Sequence, residues 1–178
     1  LQHKSSKGLL LLSFYQRKEI KDVLAYLRLL INPDDEQAFK RIINFPARGI
    51  GQTTLNKIAV EAKNSSVSDY IFIKDLLKSS EILNNSTKNK LLDFVIMIES
   101  IKNKIEHADV FDITKEVLKQ SGLYNLYKND ESLEGINRIQ NIEELLNGIR
   151  DFVENNDKSH ASVSSFLQDV ALATDQDN

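Results

Sequence analysis

The chain has 178 residues, a formal net charge of −3 and no cysteine. A chain of this length can bury the core of one ordinary domain. The absence of cysteine excludes disulfides and thiolate metal sites. Apolar runs such as residues 9–12 are far shorter than the roughly 20 residues that a membrane span needs. We therefore expect a soluble cytoplasmic protein with no membrane partner.

Helical periodicity is clear in the first third of the chain. Apolar side chains recur at helical spacing over residues 20–31, and the pattern ends before Pro33, because a residue that precedes proline is pushed out of the α region. A second helix is predicted over residues 36–44, with Asp34 or Asp35 as its N-cap.

The same periodicity continues to the end of the chain. Further helices are predicted over residues 52–62, 68–78, 87–106, 110–121, 123–128, 133–153 and 162–173. The chain has only two prolines and six glycines, too few turn residues for a many-stranded protein. The predicted fold class is all-α, a multi-helix bundle of about eight or nine helices.

The sequence contains no recognisable catalytic or metal-binding pattern. His3, His107 and His160 stand apart and show no ligand spacing. A Gly-x-Ser-x-Gly elbow is absent, and residues 49–57 begin with two glycines but lack the Gly-Lys-Ser/Thr ending of a nucleotide-binding loop. We predict no catalytic residue, no metal site and no cofactor within this chain.

Basic side chains are unevenly distributed. Residues 37–60 contain no acidic side chain. Four basic residues lie there: Lys40, Arg41, Arg48 and Lys57. Inside this window, Gly49-Ile50-Gly51 separates two predicted helices in the manner of a helix-hairpin-helix. Glycines let a phosphate approach the main chain, and the next helix presents free amides at the positive end of its dipole.

This loop is the candidate site for the DNA backbone. The predicted DNA-binding residues are Arg48, Gly49, Ile50, Gly51, Gln52, Thr53, Thr54 and Lys57. Two alternatives remain open from the residues alone. The loop could be a plain turn in a helical protein-interaction module with no DNA role, or the chain could be an independent helical enzyme.

A longer stretch of sequence resembles one helicase family. Residues 13–29 are similar to the Phe-x-x-Arg-x-Glu-Ile-Lys-Asp segment of superfamily 1A DNA helicases of the UvrD, PcrA and Rep type. The similarity continues through residues 32–51 and returns in 141–145 and 166–172. It covers about residues 13–177 and is thin between 64 and 139.

The resemblance implies a domain organisation. Residues 13–33 would be the terminal helix of the second RecA-like domain (2A), 34–173 the helical accessory 2B subdomain, and 174–178 a tail. Residues 1–12 do not fit the family pattern, and we predict them to be a remnant of an expression vector or a disordered end. Without its RecA-like sheet, the helix over residues 14–30 is expected to be poorly anchored.

The resemblance also implies a function. The parent would be a 3′-to-5′ DNA helicase that uses ATP and magnesium, neither of which has a site in this segment. The 2B subdomain would contact the duplex backbone and modulate unwinding. The implied partners are double-stranded DNA and the RecA-like motor domains of the same parent chain.

Overall fold

The computed structural model describes the backbone of residues 6–175 and the side chains from residue 10 onward. Its helices are α1 (Ser6–Tyr15), α2 (Lys18–Ile31), α3 (Glu36–Ile42), α4 (Gln52–Asn64), α5 (Asp69–Ile71), α6 (Asn85–Lys102), α7 (Val110–Ser121), α8 (Leu123–Lys128), α9 (Leu133–Glu154) and α10 (Val163–Asp175). Residues 6–175 contain no strand. The all-α prediction is confirmed.

Local chemistry sets where the helices start and stop. The Asp35 carboxylate accepts a hydrogen bond from the Ala38 amide and caps α3. Asp109 caps α7 in the same way through the Asp112 amide. Gly122, with φ of 84°, takes the left-handed conformation that ends α7. The residues that cap these helices can therefore be recognised from the sequence.

The predicted helix over residues 68–78 has an irregular second half. It begins as α5 with Ser68 as its N-cap, widens into a π-helical turn at Phe72–Leu76, and closes as a 3₁₀ turn at Leu77–Ser79. Periodicity finds such a segment but does not predict the change of pitch.

α2 lies at the centre of the bundle. It packs against α1, α3, α6, α7, α9 and α10. Seven of its large apolar side chains are at most 2% exposed: Ile20, Val23, Leu24, Tyr26, Leu27, Leu29 and Leu30. The expectation that this helix is poorly anchored is wrong, because other helices of the same bundle cover its apolar side chains. The assignment of residues 13–33 to a 2A domain remains a prediction.

The two ends of the described chain lie side by side. α1 packs against α2 and α10. Residues 6–12 belong to α1 and are helical, so a disordered end, one of the two alternatives that we predicted for residues 1–12, does not describe them. The other alternative, a vector remnant, remains a prediction, and residues 1–5 lie outside the described part. Of the predicted tail, Thr174 and Asp175 belong to α10, and residues 176–178 also lie outside. None of the helices in residues 6–175 combines the length and the apolar composition that a membrane-spanning helix needs.

Two carboxylates meet where α3 and α5 begin. Asp69 is 9% exposed, and its backbone amide donates to Glu36 Oε1 over 2.9 Å. Burial of Asp69 raises the pKa of its carboxyl to about 6, helped by the charge of Glu36 and a hydrogen bond with it, while Lys40 acts in the opposite direction. The charged form of Asp69 is thus disfavoured in the folded protein.

We expect this carboxyl to make the fold more stable in mild acid. A pKa raised in the folded state means that this group's stabilising contribution is complete below the unfolded value of 3.8 and is lost as the pH rises through about 6. Asp69→Asn should therefore stabilise the protein by about 1–2 kcal/mol at pH 7.5 and less at pH 4.5. Urea unfolding at both pH values measures this.

A matched change at an exposed aspartate is the control for that experiment. Asp151 lies on the solvent-facing side of α9, and Asp151→Asn should leave the free energy of unfolding within about 0.5 kcal/mol of the parent at both pH values. If Asp69→Asn and the parent show the same dependence on pH, the Glu36–Asp69 pair does not carry the effect.

Candidate nucleic-acid interface

The Gly-Ile-Gly loop lies in the segment that joins α3 to α4, and its two glycines play different parts. Gly49 has φ of 71°, a left-handed conformation that favours glycine. Gly51 is the N-cap of α4 with φ of −81° and ψ of 163°, which any residue adopts. A Cβ atom at Gly51 would meet nothing within 4 Å. The backbone therefore requires glycine at position 49 and leaves open space at position 51.

The start of α4 is uncapped. Gly51 has no side chain, and no side-chain hydrogen bond caps the helix there. The first amides of a helix have no partner within it, and here they belong to Gln52, Thr53 and Thr54, of which the first two are exposed and the third is half-buried. The positive end of the α4 dipole is therefore accessible to an anion.

Asn44 holds the loop in shape. Its Oδ1 accepts hydrogen bonds from the Arg48 amide at 2.8 Å and from the Ile50 amide at 3.3 Å. The Ile50 side chain is 2% exposed. The Ile50 amide is hydrogen-bonded and its side chain is packed inside the protein, so Ile50 anchors the loop.

The Arg48 guanidinium points into the protein. Nη1 donates to the carbonyl oxygens of Ile42 at 2.6 Å and Ile43 at 3.1 Å, and Nη2 donates to the Tyr26 hydroxyl at 2.6 Å. The guanidinium carbon also lies 5.1 Å from the centroid of the Phe94 ring. This geometry favours a positioning role for Arg48 over the predicted phosphate contact, which remains untested.

The other basic residues of the window divide into two groups. Arg41 Nε donates to Asp22 Oδ1 over 2.7 Å, so its charge is paired within the fold. Lys40 and Lys57 are exposed, and Lys57 lies on α4 itself. A further cation comes from α6, where Lys90 Nζ lies 3.1 Å from the position that a Cβ atom on Gly49 would occupy.

Sequence reasoning missed four residues of this site: Tyr26, Asn44, Phe94 and Lys90. For Asn44 a signal exists, because asparagine after a helix often accepts hydrogen bonds from nearby amides. The other three lie far from the loop along the chain. No local pattern indicates that the fold brings them there.

The described histidine and acidic side chains form no metal-binding cluster, and those around His160 do not have the geometry of a serine triad. Residues 6–175 contain no cluster of three or more His, Asp or Glu side chains able to hold a metal ion. His160 Nδ1 lies 2.6 Å from Asp157 Oδ1 and 3.0 Å from Ser159 Oγ, in an exposed loop. The acid and the hydroxyl contact the same ring nitrogen, so the imidazole cannot pass a proton from one side to the other as a serine triad does.

Comparison with known proteins assigns the chain to a family. The UvrD-like helicase C-terminal domain matches residues 11–178. The chain belongs to the UvrD-like helicase C-terminal domain family. The predicted resemblance to superfamily 1A helicases of the UvrD and PcrA type is thereby confirmed. The match begins inside the segment that we predicted to be foreign to the family, so at least Leu11 and Leu12 belong to it.

Three similar relatives carry the same name. ATP-dependent DNA helicase PcrA of Bacillus subtilis (strain 168) is 37% identical over 166 residues, which are 92% of this chain and 22% of that protein. The PcrA proteins of Staphylococcus aureus (strain Mu50) and Staphylococcus epidermidis (strain RP62A) are each 34% identical over the same shares. The chain thus spans 22% of the length of the curated relatives that it matches.

Proposed function

We propose that this chain is the accessory 2B subdomain of an ATP-dependent 3′-to-5′ DNA helicase, where it holds the backbone of duplex DNA and modulates unwinding. The observation that carries the proposal is the uncapped N-terminus of α4 directly after Gly49 and Gly51. Family membership supports it, since the PcrA relatives are DNA helicases by name.

The geometry explains how such a site would act. A phosphate oxygen can accept hydrogen bonds from the free amides of residues 52–54, and it gains from the positive end of the helix dipole. The open space at Gly51 lets the phosphate come close, and Lys57 adds a charge. Amides and an ammonium group recognise phosphates and not base edges, so binding should not depend on sequence.

ATP and magnesium belong to the parent protein in this proposal. Nucleotide hydrolysis would take place in the RecA-like motor domains of the same parent chain, and this segment would contribute its grip on the duplex ahead of the motor. A subdomain that holds the duplex in one orientation and releases it in another can control unwinding without taking part in the chemistry.

Titration of a duplex oligonucleotide with the 178-residue chain tests the proposal. A site that neutralises only a few phosphates should bind in the range of about 10⁻⁴ to 10⁻⁶ M and weaken steeply as salt rises. Gly51→Val should weaken binding about tenfold at every salt concentration, because its side chain occupies the space that the phosphate needs. Lys57→Ala should lower the slope of log affinity against log salt by about one.

Two matched variants control for general effects. Gly148→Ala also replaces an exposed glycine with open space around its Cβ, and Lys63→Ala removes an equal charge from the last turn of α4. Both should bind duplex as the parent does. Helical circular dichroism must be retained in all variants. If folded Gly51→Val binds as well as the parent, the loop is only a turn, and the alternative of a protein-interaction module gains support.

A further inference from the structure

Lys90 brings a charge to the loop from a distant part of the chain. It lies on α6, and its side chain crosses over Gly49, where its Nζ and Cε atoms lie 3.1 and 3.7 Å from the position of an ideal Cβ. A Cβ atom at position 49 would meet only the flexible end of this side chain, which can shift by a few tenths of an ångström. The φ of 71° is what favours glycine at this position.

The Lys90 ammonium group has no acidic partner in the described structure. Among residues 6–175, no carboxylate lies within 4.0 Å of its Nζ atom. Asp93, one turn further along α6, shares a hollow of about 250 Å³ with Lys90, Arg48 and Phe94, but forms no ion pair with the lysine. Lys90 is exposed, so its charge is available to a ligand that approaches the loop.

The basic residues that are available to a ligand at the loop are not the same as the four in the window of residues 37–60. Arg41 is paired with Asp22, and the Arg48 guanidinium is bonded to carbonyl oxygens and a hydroxyl inside the protein. Lys57, in the first half of α4, and Lys90, on α6, are both exposed. One belongs to the window and the other does not.

We propose that Lys90 contacts a phosphate of the same duplex that the loop binds, so that the DNA backbone is held between the start of α4 and the side of α6. The inference rests on the proposed function. The lysine ammonium is a compact charge with three donors on a flexible stem. The fixed amides of α4 would set the position of the phosphate, and the flexible Lys90 side chain can adjust to contact it.

Asp93 is expected to weaken the contact between Lys90 and a phosphate. Asp93 lines the hollow beside Lys90, and its negative charge should repel a phosphate that enters. Removing that charge should tighten binding, whereas removing the lysine should loosen it. A purely structural role of Lys90 in supporting the loop would not produce opposite effects from these two neighbours.

The test measures duplex affinity by fluorescence anisotropy over a series of salt concentrations. Lys90→Ala should weaken binding roughly three- to tenfold at about 50 mM salt and lower the salt slope by about one. Lys90→Arg should retain most of the affinity and the full slope, because it keeps the charge. Asp93→Asn should bind about two- to threefold more tightly than the parent. Lys63→Ala and Asp151→Asn are the controls with the same changes in net charge.

The outcomes separate this inference from the function on which it rests. If the parent chain shows no salt-dependent binding to duplex, the proposed function fails, and the role of Lys90 fails with it. If Gly51→Val and Lys57→Ala behave as expected but Lys90→Ala matches Lys63→Ala in affinity and slope, the loop binds DNA and Lys90 does not. The inference is supported if Lys90→Ala loses affinity for duplex, Lys90→Arg keeps it, and Asp93→Asn binds duplex more tightly than the parent.

Discussion

Leu27→Ala is expected to lower the free energy of unfolding by about 2–5 kcal/mol, the range for leucine truncation in a close-packed core. Leu27 lies on α2 and is 0% exposed. Removing its side chain leaves a cavity. Because helices pack against α2 on several sides, no neighbouring helix can move far enough to fill that cavity. Urea unfolding followed by circular dichroism measures the change through the midpoint at constant slope.

An exposed leucine provides the comparison. Leu172 on α10 is 65% exposed, and Leu172→Ala should change stability by less than about 0.5 kcal/mol. A cost below about 1 kcal/mol for Leu27→Ala would mean that α2 is loosely held after all, as the resemblance to a helix of a neighbouring domain had suggested.

Arg48→Ala is expected to cost about 2–4 kcal/mol of stability, because it removes three hydrogen bonds from a charged donor. The Ile42 carbonyl oxygen would keep its bond from the Phe45 amide. The carbonyl oxygens of Ile42 and Ile43 at the end of α3 would both lose the Arg48 guanidinium. The Tyr26 hydroxyl would lose its donor as well, while it still donates to the Phe45 carbonyl over 2.7 Å. The measurement is urea unfolding in the absence of DNA.

Two conservative variants separate positioning from DNA contact. Arg48→Lys keeps the charge but cannot reproduce the planar fork that reaches three acceptors. If Arg48 positions the loop, this variant should be less stable than the parent and bind duplex less well with an unchanged salt slope. Tyr26→Phe should likewise lower the stability and weaken duplex binding, although Tyr26 is fully buried and cannot reach a phosphate.

Lys57→Ala is the control for that pair, since Lys57 is exposed on α4. It should leave stability unchanged and reduce the salt slope. If Arg48→Ala proves as stable as the parent and loses one unit of slope, Arg48 is a direct phosphate contact, as the sequence first suggested.

The sequence by itself determined the helical class, most helix limits and the place of the loop. Each of these depends on neighbours within a few residues. Asp35 and Asp109 cap helices because their carboxylates reach amides three positions on. Pro33 follows Asn32, the C-cap of α2, and Gly122 takes the left-handed conformation that ends α7. The two glycines of the loop were recognised for the same reason.

Local patterns were less able to predict which apolar residues become buried. Ile136 and Leu145 are apolar residues of the same helix, α9, yet Ile136 is 47% exposed and Leu145 is 2% exposed. Helical periodicity identifies a face but does not tell how far the packing partners extend along it. The burial of α2 is a stronger case, since its partners come from six other helices.

Only the tertiary structure decided what the charges at the candidate site can do. Arg41, Arg48 and Lys57 are alike as members of a basic window, but Asp22 pairs with the first, and Tyr26 and the end of α3 hold the second. Lys90 reaches Gly49 from α6. The availability of a charge depends on which groups the fold places within a few ångströms of it. That distance is set by the packing of helices far apart along the chain, which the sequence around the loop does not contain.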